Sequence, residues 1–367
     1  MCGAFSRESM ESMATFTHGG DHHSARSHRV SIIIPLYNRV LFTQICAWAL
    51  RASLNTEDDA ADAEVLFVDN GSTDGTAAFL ASLAPPFRVL RNTTNAGFAQ
   101  ACNQGAAVAR GQYLLFLNND TVPQPGWLTA LLAAMTRDPA PAIVGARLLF
   151  PDDTVQHAGI SFNVRNEPVH LAYGVPIDEA SVMQSRPVPA VTGACLLIER
   201  TRFLALDGFD EQYRNGFEDL DLCCRVRATG GTVWYTAESL LYHFESASAG
   251  RYHADEANYR RFRERWAAWL AEDVLTRETV NAVSTVSSPV RLNRTYATGA
   301  DIRRELDRVI ADATAFTAEF ARLDTAYRDL TAAFTQQEAW ARTLEQDALR
   351  VRRRAAWQRL VGRLIQI

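Results

Sequence analysis

The chain has 367 residues, 47% hydrophobic and 22% charged, enough apolar sequence for one large domain or two smaller ones. A net charge of −5 offers nucleic acid no electrostatic reason to bind. Every one of the 37 basic residues is Arg, which excludes chemistry through a lysine Schiff base.

Residues 1–29 are polar, with His18, His22, His23 and His28 among Ser and Arg. They lack the apolar centre of a signal peptide and are expected to be disordered. No apolar run approaches the roughly 18 residues that a membrane-spanning helix needs. Cys2, Cys46, Cys102, Cys195, Cys223 and Cys224 form no CxxC pair and no framework spacing. They read as reduced thiols, which points to a cytoplasmic protein.

From Val30 the chain alternates. Val30 to Ile34 is a β-branched strand closed by Pro35, and Leu41 to Leu54 has helical spacing. Glu64 to Asp69 is a second strand, stopped by Asn70-Gly71-Ser72 and followed by a helix over Thr76 to Leu83. Phe87 to Asn92 and Tyr113 to Leu117 are strands, separated by an Ala-rich helix over Ala99 to Ala109. This order predicts right-handed βαβ units, hence an α/β fold with a mostly parallel sheet covered by helices on both faces. Ligands of such sheets bind beyond the carboxyl ends of the strands. Tyr37-Asn38, Asp69-Asn70-Gly71 and Asn118-Asn119-Asp120 all fall at that edge.

The pattern is mixed from about Ile143 to Phe244. The domain is expected to span 30–275, followed by a linker over 276–300. From Asp301, apolar or small residues recur at steps of three and four: Ile302, Leu306, Val309, Ala313, Phe316, Phe320 and onward to Val351. That is a heptad seam over 301–367, which predicts a helix pairing with a second copy or with another partner. Its end carries Arg350, Arg352, Arg353, Arg354, Arg359 and Arg363 around Trp357, Leu360 and Leu364, with no acid. A membrane-surface helix, peripheral at the inner face of the plasma membrane, and a helix end packed on a partner both fit this composition.

Eight segments occur in order: VSIIIPLYNR, VDNGSTDGT, NAGFAQACNQG, LNND, QHAG (Gln156 to Gly159), VTGACLLIER, GFDEQYRNGFEDLDLC and HFESASAG. Together they resemble the inverting GT-A glycosyltransferases of family 2 over roughly Val30 to Gly250. The likeness is to members that build O-antigens and other bacterial surface polysaccharides, rhamnosyl-type transferases included. It implies a Rossmann-like GT-A fold, a nucleotide-diphosphate sugar as donor (UDP- or dTDP-linked), and a glycan or lipid-linked saccharide as acceptor. The chain lacks the Gln-x-x-Arg-Trp segment of processive synthases, which implies addition of single sugars.

The resemblance also implies roles. Asp69 holds the base, with Pro35, Tyr37 and Asn38 alongside; a capping role for Asp69 is the alternative. Asn119 and Asp120 stand at the metal-binding D-x-D-like element, where Asp120 is the one carboxylate. His243 is the second protein ligand of a divalent metal, Mn²⁺ or Mg²⁺, unless it is a buried core histidine. Asp219 is the general base that takes the acceptor proton, with Glu218 orienting it or an acceptor hydroxyl. Asp221 pairs with Arg225, and all three acids also suit the first turn of a helix. Gly193 lets backbone approach the donor sugar, or simply forms a turn. Asn95 and Gly97 face the nucleotide, or form an ordinary turn. The reading from another class is a degenerate sugar-nucleotide-binding module acting as a coiled-coil scaffold.

Overall fold

In the computed structural model, the described residues are 14–16, 29–54, 63–84, 86–150, 152–163, 165–244, 255–273 and 275–276. They belong to the first of two units into which the chain divides, Met1–Val290. The linker and heptad segments expected over 276–300 and 301–367 lie outside them, apart from Thr276 at the boundary.

The alternation read from the sequence becomes β2 (Val30–Leu36), α1 (Val40–Leu54), β3 (Ala63–Asp69), α2 (Thr76–Ala81), β4 (Phe87–Asn92), α3 (Phe98–Val108) and β5 (Tyr113–Leu117). A short β1 (Ala14–Phe16) precedes them, within the segment expected to be disordered, and pairs antiparallel with β4. Then come β6 (Thr121–Pro123), α4 (Trp127–Met135), β7 (Ile143–Leu149), β8 (Val155–His157), β9 (Ile160–Phe162), β10 (Pro168–His170) and β11 (Arg186–Pro187). The last described elements are β12 (Cys195–Glu199), α5 (Arg200–Ala205), α6 (Glu218–Ala228), β13 (Val233–His243) and α7 (Asp255–Glu272).

The main sheet runs β1-β4-β3-β2-β5-β12-β7-β13-β11. Its β4-β3-β2-β5 part is wholly parallel, β12 runs against both β5 and β7, and β13 returns parallel to β7. The period of two along each strand divides the core. Ile33, Leu66 and Val68 face the small residues Ala99, Ala101, Cys102 and Ala106 of α3. Ile32, Ile34, Val65 and Phe67 face Cys46, Ala47 and Leu50 of α1 and the α4 residues Trp127, Leu128 and Leu131. Gly105 lets α3 lie close on the sheet, since a Cβ there would stand 2.5 Å from Ile33 Cγ2. None of the described helices is long and apolar enough to cross a membrane.

The edge opposite the strand carboxyl ends is closed by a buried acid. Glu64 Oε1 accepts from Ser31 Oγ and the Arg110 N–H, both at 2.6 Å, and its Oε2 pairs with Arg88 at 2.6 Å. Burial opposes ionisation, but these three partners outweigh it and hold the carboxyl below its usual range.

Candidate active site

Leu36 and Asp69, the last residues of β2 and β3, lie in register. The Ser72 N–H donates to Asp69 Oδ1 at 2.8 Å, whereas Oδ2 receives no hydrogen bond and has the Arg91 guanidinium at 3.3 Å. Asp69 is fully enclosed and Arg91 half exposed, so an incoming base meets Oδ2 only when a side chain such as Arg91 moves aside. An enclosed acceptor without a hydrogen bond is nonetheless the chemistry that a base imide N–H would complete. Pro35 is buried beside Val68, and Tyr37 is exposed beyond it. Asn38 and Arg39 take φ of 56° and 62°, turning the chain sharply into α1. The Asn38 N–H donates to Ser72 Oγ at 2.8 Å, and its Oδ1 accepts the Thr73 N–H at 2.7 Å, so the loops after β2 and β3 brace each other. Asn70 Nδ2 donates to Asn95 Oδ1 and to the Gly97 carbonyl, both at 3.0 Å. Gly97 opens α3 at φ 90°, a conformation that selects glycine.

Asn118, Asn119 and Asp120 leave β5. Asn119 Nδ2 donates to Thr43 Oγ1 of α1 at 2.9 Å. β6 then pairs antiparallel with the end of β13, placing His243 opposite Thr121, and the Phe244 N–H donates to the Asp120 carbonyl at 3.0 Å. Residues 125 positions apart thereby meet: His243 Nε2 is 3.2 Å from Asn118 Nδ2 and 3.1 Å from Asp120 Oδ1. Two neighbouring ligands of an octahedral ion, each at roughly 2.1 Å, stand about 3.0 Å apart. The pair therefore fits a shared divalent cation. Turning the Asn118 amide over would bring its oxygen to the same place. Gln156 lies behind the imidazole, with Oε1 2.5 Å from His243 Nδ1 and Nε2 3.2 Å from the His243 carbonyl. Among the described residues, no group of three or more His, Cys, Asp or Glu forms a metal site, so an ion at this pair needs substrate oxygens and water to complete its shell.

Asp219 is the second residue of α6. Its Oδ2 accepts the Gly193 N–H at 2.7 Å and its Oδ1 the Leu220 N–H at 2.8 Å. A Cβ on Gly193 would touch Asp219 Cβ and Phe98 at 3.4 Å. Glu218 is buried, and its Oε2 accepts the Gly216 N–H at 2.6 Å. Asp221 is structural: enclosed, it binds Arg225 Nε at 2.7 Å, Trp266 Nε1 at 2.8 Å and Arg265 at 3.0 Å. The turn before α6 carries positive φ at Asn215 and Phe217. Buried Asn258 of α7 grips it, accepting the Arg214 N–H at 3.2 Å and donating to the carbonyls of Arg214 at 2.9 Å and Gly216 at 3.0 Å.

β5 and β12 connect these pieces. Cys195 faces Leu117 and the Asn118 N–H donates to the Ala194 carbonyl at 3.0 Å, so the Gly193–Asp219 contact adjoins the loop that carries Asp120. Asp69 ends the strand two places from β5, about 10 Å across the same edge at ordinary strand spacing. His157 Nδ1 lies 3.2 Å from His170 Nδ1; burial first, then the neighbouring His170 and His243, hold it well below the ordinary histidine range. The five described cysteines are free and buried, and burial pushes the Cys46 thiol up to about 12, so none is a nucleophile at neutral pH. Gln156 and Asn258 carried no signal for a functional role beyond Gln156's place in QHAG, because their partners are set by strand and helix packing.

Comparison with known proteins adds the following. Residues 31–201 match the family model for glycosyl transferase family 2. Over 251 residues the chain is 35% identical to the O-antigen biosynthesis protein RfbC of Myxococcus xanthus, a match covering 66% of this chain but 19% of that protein. Over 212 residues it is 30% identical to the N-acetylglucosaminyl-diphospho-decaprenol L-rhamnosyltransferase of Mycobacterium tuberculosis, covering 51% of this chain and 68% of that one. Among solved structures, the mannosyltransferase PcManGT from Pyrobaculum calidifontis, in complex with GDP-Man and Mn²⁺, aligns with a TM-score of 0.48 at 17% identity over 80% of each chain.

Proposed function

The chain belongs to glycosyl transferase family 2, and on that premise we propose that it transfers a single sugar, with inversion, from a UDP- or dTDP-linked donor to a hydroxyl of a glycan or lipid-linked acceptor in surface-polysaccharide synthesis. The observation that carries the reading is the approach of Asp120 to His243 within 3.1 Å, on a loop that adjoins the Gly193–Asp219 contact. The rhamnosyl character of the donor rests on the name of the Mycobacterium tuberculosis relative.

In this reading Asp69 accepts the imide N–H of the base, with Tyr37 and Asn38 beside it. Asp120 and His243 would hold a divalent cation, which would neutralise charge on the leaving diphosphate. Asp219 takes the proton of the acceptor hydroxyl as its oxygen bonds to the anomeric carbon; the bond from that carbon to the diphosphate breaks, and the nucleoside diphosphate leaves. A single displacement of this kind needs no covalent enzyme intermediate, in keeping with thiols that stay protonated. Gly193 keeps the backbone low enough for the donor sugar to lie against it.

Melting the protein with UDP-, dTDP- and GDP-sugars, with and without Mn²⁺, tests the assignment. A donor that binds only the folded state raises the melting temperature. Stabilisation by a UDP- or dTDP-sugar that depends on Mn²⁺, followed by release of the nucleoside diphosphate, is the expected result. Tight binding of a donor with no turnover under any acceptor would support the scaffold reading instead.

A further inference from the structure

We infer that Gln156 is a positioning residue that fixes His243 as the Nδ1–H tautomer and so turns a bare Nε2 lone pair toward Asp120; the inference rests on reading Asp120 and His243 as a cation-holding pair. A backbone carbonyl can only accept, so the Gln156 atom 3.2 Å from the His243 carbonyl must be the amide nitrogen. That assigns the amide and leaves Oε1 as the atom 2.5 Å from His243 Nδ1. An amide oxygen also only accepts, so Nδ1 carries the proton. When the ring is neutral it has one N–H, which leaves Nε2 bare.

The fold makes this grip rigid. Gln156 lies in β8 and His243 ends β13, and both strands pair with the same stretch of β7, Leu148 opposite His157 and Leu149 opposite Tyr242. Gln156 is buried at 3% exposure and His243 at 4%, so water does not compete freely for either group. On the other side of the ring, Nε2 faces Asp120 Oδ1 at 3.1 Å and Asn118 Nδ2 at 3.2 Å. Asn118 can donate to the lone pair when no cation is there; a carboxylate oxygen cannot. The Nε2–H tautomer would satisfy Asp120 with a hydrogen bond but would oppose two lone pairs, those of Nδ1 and Gln156 Oε1, across a 2.5 Å contact. Gln156 thus decides which ring nitrogen is available to a cation, as partners behind metal-bound histidines do.

The test uses the full chain in two parts. In metal-free protein labelled with ¹⁵N-histidine at pH 8, the ring signals lost in His243→Ala should show a protonated Nδ1 and a bare Nε2. A protonated Nε2, alone or with Nδ1, overturns the inference, and this measurement needs no variant of Gln156. Mn²⁺ binding in the presence of UDP, followed by electron paramagnetic resonance of free Mn²⁺, is then compared among variants. Gln156→Met, which removes the acceptor, should weaken binding about 10- to 100-fold; Gln156→Glu, which keeps an acceptor toward Nδ1 but loses the donor to the His243 carbonyl, should bind more tightly than Gln156→Met. Equal binding by Gln156→Met and the unaltered protein, with His243→Ala weak, overturns the role of Gln156. Unchanged binding in His243→Ala itself would instead refute the cation-holding pair, a separate outcome.

Discussion

Asp219 and Asp221 lie two residues apart on α6, and the account gives them opposite jobs, so their substitution should separate activity from stability. Asp221→Ala removes an enclosed carboxylate from Arg225, Trp266 and Arg265. Breaking a buried ion pair by deleting one partner costs about 3–5 kcal/mol. Two features set the value near the lower end. Arg225 keeps the carbonyls of Leu206 at 2.6 Å and Gly208 at 2.8 Å, and Arg265, 41% exposed, can rehydrate. A loss of about 3 kcal/mol is a large share of the ~5–15 kcal/mol that holds a domain folded. Asp219→Asn keeps an amide oxygen for one of its two backbone donors and loses the other bond, about 1 kcal/mol. Its turnover should fall about 10²- to 10⁴-fold with donor affinity nearly unchanged, because a base is removed and no phosphate contact. Urea unfolding followed by tryptophan fluorescence gives the first quantity, and release of nucleoside diphosphate gives the second. An Asp221→Ala protein as stable as the unaltered chain yet inactive, or an Asp219→Asn protein that turns over normally, would refute the division.

Gly193→Ala should fold with little loss, since its added Cβ makes only ordinary contacts at 3.4 Å, but should raise the donor KM by narrowing the approach of the sugar; an unchanged KM would remove Gly193 from the donor site. Glu64 is held below its usual carboxyl range, so its contribution is complete above its unfolded value near 4.5 and is lost as pH falls through the lower folded value. Urea midpoints between pH 7 and pH 3 should therefore drop less steeply for Glu64→Gln than for the unaltered chain, and parallel curves would contradict this. A chain ending at residue 290 should sediment as a smaller assembly than the full chain if the heptad pattern over 301–367 pairs helices; an unchanged association number would dispose of that expectation.

Much of the α/β frame was legible because its signals are local. The period of two in Val30 to Ile34 and Glu64 to Asp69, the Ala-rich helix between Asn95 and Gly111, and the abrupt polar stops after β3 and β5 each lie within a few residues. What was not legible depends on pairing at a distance. Nothing in Cys195 to Glu199 says that it enters antiparallel between β5 and β7, yet that insertion sets Gly193 beside Asp219. The meeting of Asp120 and His243 comes from the β6–β13 pairing, for which the sequence offers only short strands. His157 and His243 look alike as lone histidines. Burial beside His170 sets one apart, and a carboxylate at 3.1 Å distinguishes the other. Asn258 lies beyond the residues that match the family model, and its hold on the turn before Glu218 comes from the docking of α7.

Crystals of the full chain grown with UDP and Mn²⁺, with data collected at the manganese absorption edge, address the central claim most directly. The account predicts one anomalous peak in contact with both an Asp120 carboxylate oxygen and His243 Nε2, bridging to the diphosphate. A peak bound to the diphosphate but remote from either side chain would contradict it.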